Sequence, residues 1–172
     1  MRLVNGLLNT LVFNTITLEN FDKEYALFWD DYIDSSSELL DEGKFCGKYS
    51  YLDKIIKQIN CCYQEHCFDA CAVVMRRLFE IILILTYQNC GIDDEIKDSS
   101  GNYQTLDAII KNAKNNSTLK LSRTKNKFDS FKNLGNNSAH GITYTASSKD
   151  IDDIKMDFRK AIEELYCKAG LL

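Results

Sequence analysis

Proline is absent from all 172 residues. Proline is the residue that most often kinks or stops a helix, so nothing of that kind interrupts the helical patterns in this chain. Glycine is scarce too, at eight residues, so turns must lean on a few glycines and on Asn and Ser. No long hydrophobic run exists. The longest, Ile81 to Thr86, falls far short of the roughly 20 residues that a bilayer-crossing helix needs, so no membrane partner is expected. An excess of positive charge is also missing. With 21 Lys and Arg against 25 Asp and Glu the net charge is −4, which argues against a protein that coats nucleic acid over its whole surface. Histidine is limited to two residues, His66 and His140, so few groups titrate near neutral pH. Leucines near Arg2 are interrupted by Asn5, Asn9 and Asn14 with no small-residue cleavage site after them, so no signal peptide is expected.

The residues that are present suit a helical core. Apolar residues make up 45% of the chain, enough for one proper domain core. Seven cysteines, an odd number, fall mostly at core-like positions, which implies reduced thiols and a cytoplasmic protein. The Asn-x-Ser/Thr triplets at Asn115, Asn116 and Asn136 then carry no glycosylation meaning.

Apolar spacing predicts helices throughout. The first runs from Arg2 to Phe13, with Val4, Leu7, Leu8, Leu11 and Val12 on one face, and the second from Phe21 to Leu40. A third starts near Ser50 as N-cap and carries Leu52, Ile55, Ile56 and Ile59. The fourth, Cys67 to Asn89, is apolar nearly all round and reads as the central helix, ended by Gly91. Thr105 caps a short helix, another covers Ser122 to His140, and the last runs from Ser147 or Ser148 to a stop at Gly170. No strand or internal repeat is visible. The expected fold is an all-α bundle of four core helices plus a short one over residues 48–172, with residues 1–47 as an N-terminal helical extension.

Three features stand out from that scaffold. Arg76, Arg77 and Glu80 are the only charges between Asp69 and Asp93 in the apolar helix, and burial of a charge demands a partner. Arg76 and Glu80 are four apart, but Arg before Glu is the weaker order, so a polar partner from another helix is expected. Second, Lys132, Asn136 and His140 repeat at four-residue spacing, away from Phe128, Phe131 and Leu134. This stripe offers a cation, an amide and an imidazole suited to proton transfer. Third, Lys111, Lys114, Lys120, Arg123, Lys125, Lys127 and Lys132 are accompanied by one acid, Asp129, which makes Lys120, Arg123, Lys125, Lys127 and Lys132 candidate phosphate contacts. Each has a plainer alternative: a register-fixing ion pair, a capping Asn with a surface His, and a solvated face.

Cys61, Cys62, His66, Cys67 and Cys71 lie within eleven residues, but no second distant pair completes a zinc pattern, so no metal site is expected. No Gly-rich phosphate loop is present and no cofactor is expected.

The helix Ala72 to Glu80, with Arg76-Arg77-Leu78-Phe79-Glu80, and the segment Gly135-Asn136-Asn137-Ser138-Ala139-His140-Gly141 together resemble a bacterial HEPN-like family. That family carries an Arg-x-x-x-Glu helix and a Gly-Asn-x-x-Ala-His-Gly segment, and the similarity spans about Ser50 to Tyr166. The resemblance implies a helical bundle that commonly forms a homodimer. It also implies kinship with metal-independent ribonucleases of toxin and antiviral defence systems, which use the RNA 2′-hydroxyl as nucleophile. RNA, or a protein partner of such a system, is the implied ligand. His140 matches the family His, and Asn136 the polar residue before it. Arg76 and Glu80 match the family helix. The superfamily places an Arg four to six residues before the His, where this chain has Asn136, Gly135 and Leu134. Arg76 and Lys132 are then the substitute cations. The alternative reading is a non-catalytic HEPN-like dimerisation or interaction module.

Overall fold

The computed structural model describes residues Glu38–Leu172. The helix read over Arg2–Phe13 and most of the one read over Phe21–Leu40 lie outside the described residues. At its described end, Glu38–Leu40 is not helical; Leu39 and Leu40 form a bend. The described unit is all-helical, with α1 Glu42–Phe45, α2 Ser50–Gln64, α3 Phe68–Asn89, α4 Leu106–Asn115, α5 Phe128–His140 and α6 Ser148–Lys168.

The central helix is α3, as its all-round apolarity predicts. It packs against α2, α5 and α6. Cys71, Ala72, Met75, Leu78, Phe79, Ile82, Leu83, Thr86 and Tyr87 are buried along it. Phe79 holds the α3–α5 seam through edge-on contacts with Phe128 at 4.8 Å and Phe131 at 5.6 Å. Phe131 continues the chain of rings to Phe158 of α6 at 5.2 Å. Pairs of this geometry add about 0.5–1.5 kcal/mol each beyond the area they bury. The Thr86 hydroxyl lies 2.9 Å from the Ile82 carbonyl and 3.2 Å from that of Leu165, so it can donate to its own helix or across to α6. On the remaining side of α3, Val73 and Arg77 are exposed and Ile81 and Ile84 are half-buried.

Three helix ends share one chain-reversal geometry. After α2, α3 and α6 a left-handed residue follows the C-cap: His66 at φ 57°, Gly91 at 67° and Gly170 at 71°. In each, an N–H five residues on closes back to the helix carbonyl: Cys67 to Cys62 at 2.8 Å, Ile92 to Tyr87 at 3.1 Å, and Leu171 to Tyr166 at 2.9 Å. Gly91 and Gly170 therefore stop their helices as expected.

Two starts follow their sequence signals and two differ. Thr105 caps α4 through the Ala108 N–H, and Ser147 with Asp150 forms a capping box on α6. Ser50 is the first helical residue rather than the N-cap, which is Tyr49 with no side-chain bond. The helix read from Ser122 is α-helical only from Phe128; Arg123–Lys127 is a 3₁₀ turn. Its cause is Glu164 of α6, which accepts from the Ser122 N–H at 2.6 Å, the Ser122 hydroxyl at 2.7 Å and the Thr124 hydroxyl.

The chain entering the bundle is held by two side chains. Buried Asn60 accepts from the Leu40 N–H at 2.9 Å and donates to the Leu40 carbonyl at 2.8 Å. Arg159 donates to the carbonyls of Leu39, at 2.7 Å, and of Glu38. Leu39, Leu40 and Phe45, which precede residue 48, are buried in the same core.

Candidate functional site

The Arg76 helix and the His140 segment do meet, at a glycine. A Cβ on Gly135 would lie 2.5 Å from Cβ of Arg76, 2.9 Å from its Cδ and 3.0 Å from the Ala72 carbonyl oxygen. Only a hydrogen at this position lets α5 come so close to α3, and the aliphatic stem of Arg76 lies across it. Asn136 follows directly and is half-buried; His140, the last residue of α5, is exposed.

Arg76 finds its partner in its own helix. Nη1 of Arg76 is 3.5 Å from Oε2 of Glu80, and both side chains are about 30% exposed. The expectation of a polar partner from another helix is therefore not met. Facing Arg76, α5 supplies a glycine, and the half-exposed pair keeps enough solvent to need no second counter-charge. Glu80 lies toward the C-terminal end of α3, whereas α5 runs antiparallel and carries His140 beside the N-terminal end. The Nε of Arg76 and the hydroxyl of Ser138 are buried on this seam without a hydrogen-bond partner among the described residues.

The segment after His140 is tied back to the same helix. Asp69, in the first turn of α3, accepts from the Ala146 N–H at 2.8 Å. Between these anchors a Cβ on Gly141 would come within 2.6 Å of the Asn137 carbonyl and 2.8 Å of Tyr144 Cβ, so this glycine too is required for packing. Ile142 next to it is fully exposed.

The stripe of Lys132, Asn136 and His140 divides in the folded chain. Lys132 is only 14% exposed and pairs with Asp107 of α4, with Asp129 a further 3.8 Å contact. It ties α5 to α4 and is already neutralised. The other basic residues divide similarly. Lys127 pairs with Asp157 at 3.0 Å, and Lys125 donates to the Lys114 carbonyl at 2.8 Å. Lys114 itself pairs with Asp129. Lys120, Arg123 and Arg77 are exposed.

Sequence reasoning missed the acids that consume this charge. Asp129–Lys132 has helical i,i+3 spacing and was legible; Asp107 and Asp157 come from other helices and left no local signal. The role of Gly135 was equally silent. Among the described residues no three His, Cys, Asp or Glu side chains are grouped closely enough to hold a metal ion. No described helix is long and apolar enough to cross a membrane. Comparison with known proteins finds no family model, no curated protein and no solved structure that matches the chain.

Proposed function

We propose that this bundle is a HEPN-like effector that binds or cleaves RNA, of the kind used in bacterial antiviral defence or toxin-type systems, and that it works as a homodimer. The observation that carries the reading is the contact of Arg76 with Gly135. It sets a guanidinium stem against α5 one residue from Asn136, while His140 stays open to a ligand. In this reading α3 supplies the cation missing from the His helix once Arg76 leaves Glu80.

In the cleaving form, His140 takes the proton from an RNA 2′-hydroxyl as its oxygen bonds to phosphorus. The bond from phosphorus to the 5′-oxygen then breaks, and a proton returns to that oxygen. Arg76 turns from Glu80 to the phosphorane, whose charge it offsets. Glu80 holds Arg76 until RNA binds, and Asn136 orients the imidazole. Lys120 and Arg123, beyond the other end of α5 from His140, contact phosphates further along the strand, and Lys125, Lys127 and Lys132 shape the surface around them. The side of α3 that carries Val73, Ile81 and Ile84 is the face for the second copy.

One observation favours the alternative of a non-catalytic interaction module. Arg76 and Lys132, the two cations nearest the His segment in sequence or space, are each engaged by a carboxylate, Glu80 and Asp107.

The test incubates the purified chain with tRNA and mixed single-stranded RNA, beside His140→Ala and Arg76→Ala. Cleavage by wild type that falls at least a hundredfold in both variants supports the catalytic form. Equal inertness of all three defeats it. Salt-dependent RNA binding lost in Lys120→Ala/Arg123→Ala would then leave a binding module, and no RNA binding at all would leave the interaction module. Sedimentation as a monomer at all concentrations would remove the dimer.

A further inference from the structure

We infer that Cys62 and Cys67 form a peroxide-oxidisable dithiol that closes the turn between α2 and α3. The argument starts from the backbone. In this reversal the Cys67 N–H bonds the Cys62 carbonyl at 2.8 Å and the His66 N–H bonds the Tyr63 carbonyl at 3.2 Å. Bond lengths then hold the two Cα atoms within about 6.7 Å. That lies inside the roughly 4.4–6.8 Å span that disulfides occupy.

Residues in these two positions of the reversal frequently make side-chain contact, and the Cα separation lets the two sulfurs meet by side-chain rotation. Cys67 is turned back over the end of α2, its thiol 3.6 Å from the Glu65 carbonyl oxygen. It is exposed, so an oxidant reaches it, while Cys62 is half-buried beside it. Burial, and then the adjacent thiols Cys61 and Cys67, push the Cys62 thiol up from its ordinary value, which fits Cys62 as the second thiol rather than the first to react. Cys71, one turn further into α3, takes no part. Burial, with Cys62 adding to it, pushes its thiol up to about 12.

The chemistry needs a peroxide as oxidant. The Cys67 thiolate attacks one peroxide oxygen, the O–O bond breaks, and water leaves once the other oxygen is protonated. The Cys62 sulfur then attacks the sulfenic sulfur, the S–S bond forms, and a second water departs. Two thiols and one peroxide thus give one disulfide and two waters. The link fastens α2 to the first turn of α3, where Asp69 holds the loop behind His140.

For the test, the reduced full chain is treated with hydrogen peroxide, alkylated, denatured and cut after Glu65, which separates Cys62 from Cys67. The monomer band of a non-reducing gel is analysed. The fragments on either side of Glu65 are expected to stay joined in wild type and in Cys61→Ser, two hydrogen atoms lighter than the reduced pair. They should separate in Cys62→Ser and in Cys67→Ser. Cys62→Ala, which keeps the half-buried position apolar, replaces Cys62→Ser if that variant does not melt cooperatively. Separate fragments in oxidised wild type overturn the inference. So does joining that survives loss of Cys62, which would make Cys61 the partner, or a link found only between two chains.

Discussion

Arg76 and Gly135 touch as closely as two helices allow: the Arg76 Cβ stands 2.5 Å from where a side chain on Gly135 would begin. Gly135→Ala is a sharp probe of that contact. In an exposed helix the exchange gains up to about 1 kcal/mol. Here the new methyl meets a Cβ fixed to its own helix and the Ala72 carbonyl at 3.0 Å, so α3 and α5 must separate. Urea denaturation is expected to show a loss of about 1–3 kcal/mol. A gain would mean the seam is looser than described.

His66→Gly should act in the opposite direction. His66 carries a φ of 57° at a position where the other two helix ends place Gly91 and Gly170. A side chain in that region costs on the order of 1–2 kcal/mol. Part of the relief is offset by the greater freedom of glycine in the unfolded chain, and by loss of the edge contact between His66 and Phe68 at 5.6 Å. The net expectation is a stabilisation of about 0.5–1 kcal/mol. An unchanged or lowered melting temperature would count against the strain.

Glu164 makes stability depend on acid. Burial alone would raise its pKa, but the hydroxyl of Thr124 and the N–H and hydroxyl of Ser122 outweigh burial and hold it below the ordinary 4.5. A carboxylate with a depressed folded pKa stabilises above its unfolded pKa, and that stabilisation is lost as pH falls through the folded value. Glu164→Gln should therefore be less stable than wild type at pH 7, and the gap should close below about pH 4.5. Asp93, Asp107 and Asp150 are depressed as well and remain in both proteins, so the difference between the two curves isolates Glu164. A gap constant from pH 7 to pH 3 would rule this account out.

Asn60 holds the entry to the bundle with a buried amide. Asn60→Leu keeps the branching at Cγ but leaves the Leu40 N–H and C=O without their partner. Unpaired buried groups cost about 1–3 kcal/mol each, so a loss of about 2–4 kcal/mol is expected, with faster proteolysis near residues 38–41. Asn60→Asp should be no better. It keeps the acceptor for Leu40 N–H but sets an acid against the Leu40 carbonyl and the Glu42 carboxylate, which lies 3.2 Å from the amide nitrogen. Wild-type stability in Asn60→Asp would show that the carbonyl bond contributes nothing.

Much of the helix order was legible in the chain because helical spacing is a local signal. The pattern from Cys67 to Asn89 marks a helix apolar nearly all round, and α3 is that helix. The stops at Gly91 and Gly170 and the caps at Thr105 and Ser147 could be read because each involves residues within one turn. The stop at His66 could not, since nothing in a lone His announces a left-handed backbone. The 3₁₀ turn at Arg123–Lys127 was hidden for a different reason: its cause, Glu164, lies about forty residues away.

The site divides along the same line. By itself the sequence determined that an apolar helix carries Arg76 and Glu80, that the Gly135–Gly141 segment ends another helix, and that basic residues crowd toward it. Spacing of three and four residues decides such things. The tertiary structure alone decided that Gly135 receives the Arg76 stem, that Lys132 is consumed by Asp107, and that His140 stays open while Arg76 turns to Glu80. Those outcomes depend on which helices become neighbours. Charge and contact act through space over a few ångströms, and distance along the chain does not encode them.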